Sequence, residues 1–158
     1  MTLHPIAPLY DENSRILILG SFPSVKSREE GFFYGHAQNR FWRVISAIVG
    51  ATVPVSIDEK KRLLLEHGIA LWDVISACEI EGSSDASIKN VIPSDIARIL
   101  NTANIKHIYV NGKCAQKYYN MYLKEVAKMD AICLPSTSPA NAAWSLDGLI
   151  NAWKIILN

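Results

Sequence analysis

The sequence predicts an α/β fold of three layers, with a parallel β-sheet lying between two layers of helices. Three observations carry that expectation. Four short apolar runs are spread along the chain, segments with helical periodicity separate them, and polar, turn-rich loops follow them. Strands that alternate with helices pair in parallel, because each crossover helix covers a face of the sheet. Right-handed crossovers then gather the strand C-termini, and the loops beyond them, along one edge.

Each element has a local reason. Arg15-Ile16-Leu17-Ile18-Leu19-Gly20 is an apolar run ending at glycine, the pattern of a strand buried on both faces. A polar loop extends to about Asn39. Phe41, Val44, Ile45 and Ile48 then recur at helical spacing, and Gly50 stands where a helix would stop. Ser56-Ile57-Asp58-Glu59 reads as a capping box that opens a helix reaching Gly68. Ile69-Ala70-Leu71-Trp72-Asp73-Val74 is the second strand. The polar stretch from Ser76 to about Pro93 shows no sustained period and reads as a long loop. Ser94 reads as the N-cap of a short helix using Ile96, Ile99 and Leu100. His107-Ile108-Tyr109-Val110 is the third strand, ending at Asn111-Gly112, and the next helix carries Cys114, Tyr118, Met121 and Tyr122 on one face. Ala131-Ile132-Cys133-Leu134 is the fourth strand, and a final helix uses Leu149, Ala152, Trp153 and Ile156.

Composition narrows the class. The 158 residues are 49% hydrophobic and 20% charged, as expected of one globular domain spanning 1–158 and not of a disordered chain. No apolar run approaches the roughly 18 residues of a membrane helix. The start, Met1-Thr2-Leu3-His4-Pro5, lacks the basic and apolar regions of a secretory signal, so a cytoplasmic location is expected. Cys78, Cys114 and Cys133 form no CxxC pair and cannot hold an iron–sulfur cluster; they read as reduced core residues. The net charge of +1 does not announce a nucleic-acid binder, yet an enzyme touching few phosphates needs only local positive charge.

Two unusual loops, from Gly20 to Asn39 and from Pro135 to Asn141, both follow strands and should open onto one crevice. In Gly20-Ser21-Phe22-Pro23-Ser24, glycine permits close backbone approach, proline stiffens the turn, and the hydroxyls can bond a phosphate or a base edge. An ordinary strand-to-loop turn has the same look. The segment lacks the P-loop and dinucleotide-binding glycine patterns. Phe33-Tyr34-Gly35-His36-Ala37-Gln38-Asn39-Arg40-Phe41-Trp42 gathers aromatic, imidazole, amide and guanidinium groups before a helix. There Asn39 could also be a cap and Trp42 core. In Leu134-Pro135-Ser136-Thr137-Ser138-Pro139-Ala140-Asn141, Ser138 and Pro139 suit an N-cap and first helical position, while successive hydroxyls could bind phosphate.

Together these segments resemble the hypoxanthine-DNA glycosylase branch of the uracil-DNA glycosylase superfamily. The resemblance rests on GSFPS, FYGHAQNRFW and LPSTSPAN, with ALWDVI, the Cys78–Ser83 stretch and VNGK, in the same order from about Ile16 to Trp153. The portion from His36 to Trp42 also resembles the mismatch-specific uracil glycosylases. The resemblance implies a central four-stranded parallel sheet and hydrolysis of the N-glycosidic bond of a deaminated deoxynucleotide. It implies no cofactor, and DNA as the partner. In that superfamily the first motif often carries an acid or amide that positions water; Gly20–Ser24 has neither, and the resemblance gives that role to Asn39. Ser136 stands where uracil enzymes often have histidine, a departure from strong uracil excision.

The same resemblance assigns Gly20, Ser21, Phe22, Tyr34, His36 and Ser136 to the base pocket, with Tyr34 stacking on the extruded base. Pro23, Ser24, Arg40, Thr137, Ser138 and Pro139 would hold the DNA backbone, and Ala140 and Asn141 would lie where related enzymes push a loop into the duplex. Lys26 and Arg28 could add positive charge or be solvated surface. His36 could equally be structural. With no second histidine or cysteine pair beside it, no metal site is expected, and no lysine stands out for a Schiff base. The expectation is a monomeric, monofunctional enzyme. The alternatives are excision of uracil or a mismatched base on the same fold, or a non-catalytic nucleic-acid-binding module.

Overall fold

The computed structural model describes residues 1–158. The chain opens with β1 (Thr2–Leu3) and β2 (Ile16–Gly20), followed by helices α1 (Val25–Glu30), α2 (Phe41–Val49) and α3 (Ile57–Glu66). Next come β3 (Ile69–Asp73), β4 (Ile75–Glu79), β5 (Lys89–Pro93) and the short α4 (Ala97–Leu100). The last part is β6 (His107–Asn111), α5 (Lys113–Tyr118), α6 (Lys124–Ala127), β7 (Ala131–Leu134) and α7 (Leu146–Trp153). No helix is long and apolar enough to cross a membrane.

Four strands form the expected parallel sheet, in the order β3-β2-β6-β7. Helix α2 packs on α7 and α4 on α6, and right-handed crossovers put those two pairs on opposite faces. Leu17, Ile18 and Leu19 of the central β2 are completely buried, as a strand covered on both sides must be. The chain leaves β2 toward β3 but leaves β6 toward β7, so the two connections diverge at the C-terminal ends of β2 and β6. Such a divergence opens a crevice at the sheet edge.

Local signals place the helices of one face. Ser56 and Glu59 form the capping box, with bonds of 3.1 and 3.2 Å, and Gly50 ends α2 in the left-handed region at φ 74°. The apolar stripe of α2 meets α7 through Phe41 and Trp153, both fully buried and edge-to-face with centroids 5.9 Å apart.

Four expectations are corrected. The stretch from Ser76 to Pro93 is not one long loop: β4 pairs antiparallel with both β1 and β5 in a second sheet, ordered β1-β4-β5, and a 3₁₀ turn at Asp85–Ser87 lies in the β4–β5 connection. Two register shifts between β4 and β5, and an exposed β5, remove the alternation that would have marked them. Ser94 does not cap α4. Its N–H bonds Val74 O while its buried hydroxyl has no partner. The helix after β6 changes face at a π-turn, Tyr119–Leu123, which buries Tyr119 and Leu123 and leaves Met121 exposed. Finally, Ser138-Pro139 does not start the last helix. That helix begins at Leu146 behind Ser145, whose hydroxyl accepts the Gly148 N–H at 3.0 Å.

Candidate active site

A cavity of about 350 Å³ opens at the divergence point, walled by the ends of β2, β3 and β6 and the loops after β2 and β7. Both sequence-singled loops reach it. Gly20, Ser21, Phe22, Pro23, Ser24, Tyr34, His36 and Asn39 form one side, and Ser136, Thr137, Ser138, Pro139 and Ala140 the other. Of the expected residues, Arg40 and Asn141 are not in the wall.

Asn39 is held by two bonds to one atom. Its Oδ1 accepts the Phe41 N–H at 2.9 Å and the Thr137 hydroxyl at 2.9 Å. The cap reading of this residue is thus partly realised, since Phe41 is the first residue of α2. A backbone N–H must meet an acceptor, so the amide orientation follows from the network. Its Nδ2 has no protein partner and is not among the buried unpaired atoms, so the amino group opens onto the cavity.

Thr137 is completely buried, which removes it from direct contact with a large partner and makes it a strut between loops. Its N–H donates to Asn111 Oδ1 at 3.0 Å, and its Oγ1 accepts from Asn111 Nδ2 at 3.0 Å. Asn111 Nδ2 also donates to Tyr34 Oη at 3.1 Å. One amide at the end of β6 therefore links Tyr34 to the strut that orients Asn39.

Tyr34 adopts φ 53°, an uncommon conformation for a residue with a side chain, of the kind that collects at functional sites. One ring face stacks on Phe41, centroids 4.1 Å apart and 18° from parallel. Burial, with the Asp73 charge added, pushes its phenol well above its ordinary range, so it is a neutral O–H at any physiological pH.

Arg40 serves the loop from behind. Its Nη2 donates to the carbonyls of Ser138 and Asn141, each at 3.0 Å, and its Nη1 to that of Trp144. Asn141 turns its side chain inward to the Ser136 carbonyl at 3.0 Å. Both residues spend these donors inside the loop expected to meet DNA and shape it from within. At the tip, Ser136 Oγ accepts the Ser138 N–H at 3.1 Å and Ser138 Oγ the Ala140 N–H at 3.2 Å. These are local turns that stiffen the loop. Ser24 caps α1 by accepting from Ser27 N at 3.2 Å. His36 is exposed, and its Nδ1 accepts the Gln38 N–H at 3.1 Å, leaving Nε2 free at the rim. Phe22 is buried, with the His4 ring edge-on at 5.8 Å and the Arg28 guanidinium 5.6 Å from its centroid.

The fold brings in residues that the sequence reading left out: Asp73 at the end of β3, Asn111 at the end of β6, and Asp85, which accepts from Ser21 Oγ at 3.1 Å. A single polar residue closing an apolar run was the available signal for Asn111, and one interrupting an apolar run was the signal for Asp73, since strand C-termini line such crevices. Beside Asp85, burial and that carboxylate push the Cys114 thiol up to about 12, so it is no nucleophile at neutral pH.

Gly20 is required by the space above it. A Cβ there would stand 2.4 Å from Asp73 Oδ1 and 2.9 Å from Tyr34 Oη, both anchored groups. Gly20→Ala should therefore destabilise the protein by about 1–3 kcal/mol through overpacking. Thermal melting checks this, and an unchanged melting curve would mean that the wall has slack.

A family model described as the uracil DNA glycosylase superfamily matches residues 7–156. A curated hypoxanthine DNA glycosylase from Methanosarcina barkeri (strain Fusaro / DSM 804) is 39% identical over 114 residues, 70% of this chain and 72% of the relative. Another from Methanosarcina acetivorans is 36% identical over 137 residues, 85% of each chain. A solution NMR structure from Methanosarcina acetivorans, provisionally described as a uracil DNA glycosylase, superposes with a TM-score of 0.82 at 30% identity. It covers 96% of this chain and 94% of its own.

Proposed function

The chain belongs to the uracil DNA glycosylase superfamily, and from that premise we propose that it is a monofunctional glycosylase that removes hypoxanthine from DNA. The names of the curated relatives support this choice of base. The observation that carries the mechanism is the free Nδ2 of Asn39, opening onto the same cavity that Tyr34 lines.

In this reading the damaged nucleotide swings out of the duplex and its base lies against the open face of Tyr34, the other face being braced by Phe41. The bond from C1′ to the base nitrogen breaks with its electron pair leaving on the base, and positive charge builds on the sugar. Asn39 Nδ2–H holds a water by its oxygen. Because an amide is a poor proton acceptor, that water adds to a sugar already cation-like and loses its proton afterwards. Bond-making then lags bond-breaking. The departing base takes up a proton and an abasic site remains.

The stiff turns Pro23-Ser24 and Ser136–Ala140 would flank the phosphates on either side of the flipped nucleotide, with Arg40 and Asn141 supporting the second turn from within. The single apolar core of 38 buried residues supports treating 1–158 as one domain, which we take to act as a monomer.

Duplexes carrying one deoxyinosine, one uracil opposite guanine, or one xanthine provide the test, with abasic sites revealed by alkali. We expect cleavage of the inosine strand to dominate. Faster cleavage at uracil would reassign the substrate, and no cleavage at any lesion would overturn the enzymatic reading.

A further inference from the structure

We propose that Asp85 is the general acid of the reaction: its carboxyl hands a proton to N7 of the departing hypoxanthine. This rests on the deoxyinosine reading above and names the source of the proton that the base takes up.

Asp85 lies in the turn between β4 and β5, and that turn is strapped to the segment after β2. Arg28 Nη2 donates to the Gly82 carbonyl at 2.6 Å, the Val25 N–H to Ser83 Oγ at 2.9 Å, and Ser21 Oγ to Asp85 Oδ1 at 3.1 Å. Ser83 and Asp85 thereby become part of the cavity wall. Asp85 keeps an exposed side, which a nucleotide lying in the cavity would cover.

The charge of the wall supplies the need for an acid. It holds two carboxylates, Asp73 and Asp85, and no lysine or arginine. Such a wall favours the positive charge that builds on the sugar and opposes a base leaving as an anion. A base that gains a proton as its bond breaks leaves neutral, and the conflict disappears. N7 is the basic ring nitrogen of hypoxanthine, and it shares the five-membered ring with N9, where the bond breaks.

The two carboxylates are not equivalent. The Ile6 N–H points at His4 Nδ1, 3.1 Å away, so the ring proton sits on Nε2 and is donated to Asp73 Oδ2 at 2.7 Å. Asp85 meets only the Ser21 hydroxyl and the Cys114 thiol, the latter a weak donor. Loss of hydration, with the Asp73 charge added, pushes the Asp85 carboxyl above the ordinary carboxylate range. Such unequal surroundings mark one acid as the proton donor and the other as the fixed anion. The other titratable groups within reach of Asp85 are Tyr34, Cys78, Cys114 and Tyr118. Burial raises all four, so none is an acid near neutral pH.

In the forward step Asp85 O–H passes its proton to N7, the electron pair of the C1′–N9 bond goes to the base, and hypoxanthine leaves neutral. The water held by Asn39 adds to C1′. Its surplus proton passes to solvent, from which Asp85 is protonated again.

Single-turnover excision of deoxyinosine, followed across the pH range in which the protein stays folded, tests this. Only protonated Asp85 works, so the wild-type rate should fall about tenfold per pH unit above the pKa of that carboxyl. D85N keeps an acceptor for Ser21 and loses the proton. Its rate should be about 10²-fold lower at the acid end and flat with pH. On a duplex carrying 7-deazadeoxyinosine, which has carbon in place of N7, D85N should lower the rate no further than the analogue itself does. A lost wall contact would lower it equally on both substrates. Melting shows that each protein is folded. Wild-type protein inert on inosine defeats the glycosylase reading. With an active wild type, a D85N variant that matches it, keeps the pH limb or loses as much on the analogue defeats Asp85 alone; a surviving limb would pass the proton to His36 at the rim.

Discussion

Asn39→Ala is expected to lower single-turnover excision of deoxyinosine by about 10²–10³-fold, the size of loss that follows removal of one positioned donor from a reacting centre. The substitution also removes the acceptor for the Phe41 N–H and for the buried Thr137 hydroxyl. A stability loss of about 0.5–2 kcal/mol should therefore accompany it. The two effects are separable, because a protein with a stability margin in the usual range stays folded at assay temperature despite losing a cap. Melting and single-turnover kinetics on the same purified variant decide the matter. If excision stays within tenfold of wild type while melting drops, Asn39 is a cap and the water is held elsewhere. If excision collapses, the carboxamide is chemical.

Arg40→Ala should cost the most stability. Its guanidinium bonds three carbonyls of the loop after β7, those of Ser138, Asn141 and Trp144. Hydrogen bonds to a charged partner contribute about 1.5–3 kcal/mol each and do not simply add, so a loss of about 3 kcal/mol is expected. That corresponds to a melting temperature roughly 6–12 °C lower. DNA binding should weaken because the loop loses its shape. The salt dependence distinguishes this from a lost phosphate contact: a clamp leaves the slope of log K against log salt unchanged, whereas a phosphate ligand reduces it by about 0.9. A reduced slope with an unaltered melting temperature would return Arg40 to the DNA surface.

Legibility in the sequence followed burial. The strands β2 and β3 and the middle of β6 are covered on both faces and so read as apolar runs. The edge strand β7 read the same way from its composition although Ile132 is exposed. Gly50 and Ser56 mark helix ends through backbone chemistry that is local. Strands β4 and β5 were missed because they pair with bulges and β5 lies exposed. The Ser138-Pro139 pair resembled a helix start because capping preference is a local statistic. Its hydroxyl in fact closes a turn, while Arg40, far away in sequence, holds the loop open. Thr137 showed the opposite error: a hydroxyl in a loop reads as surface, yet packing buries it completely.

The order of residues alone determined the strand–helix alternation, the two loops that meet at one sheet edge, and the family, since each depends on local periodicity or short motifs. Tertiary structure decided which polar groups face the cavity and which are spent inside the protein. Position 4 and position 73 are joined through a tautomer set by the Ile6 amide, and the oxygen of Asn39 is taken by Thr137 from another loop. No local pattern encodes such pairings. The free valence of a side chain is what remains after its neighbours in space, not in sequence, have bonded to it.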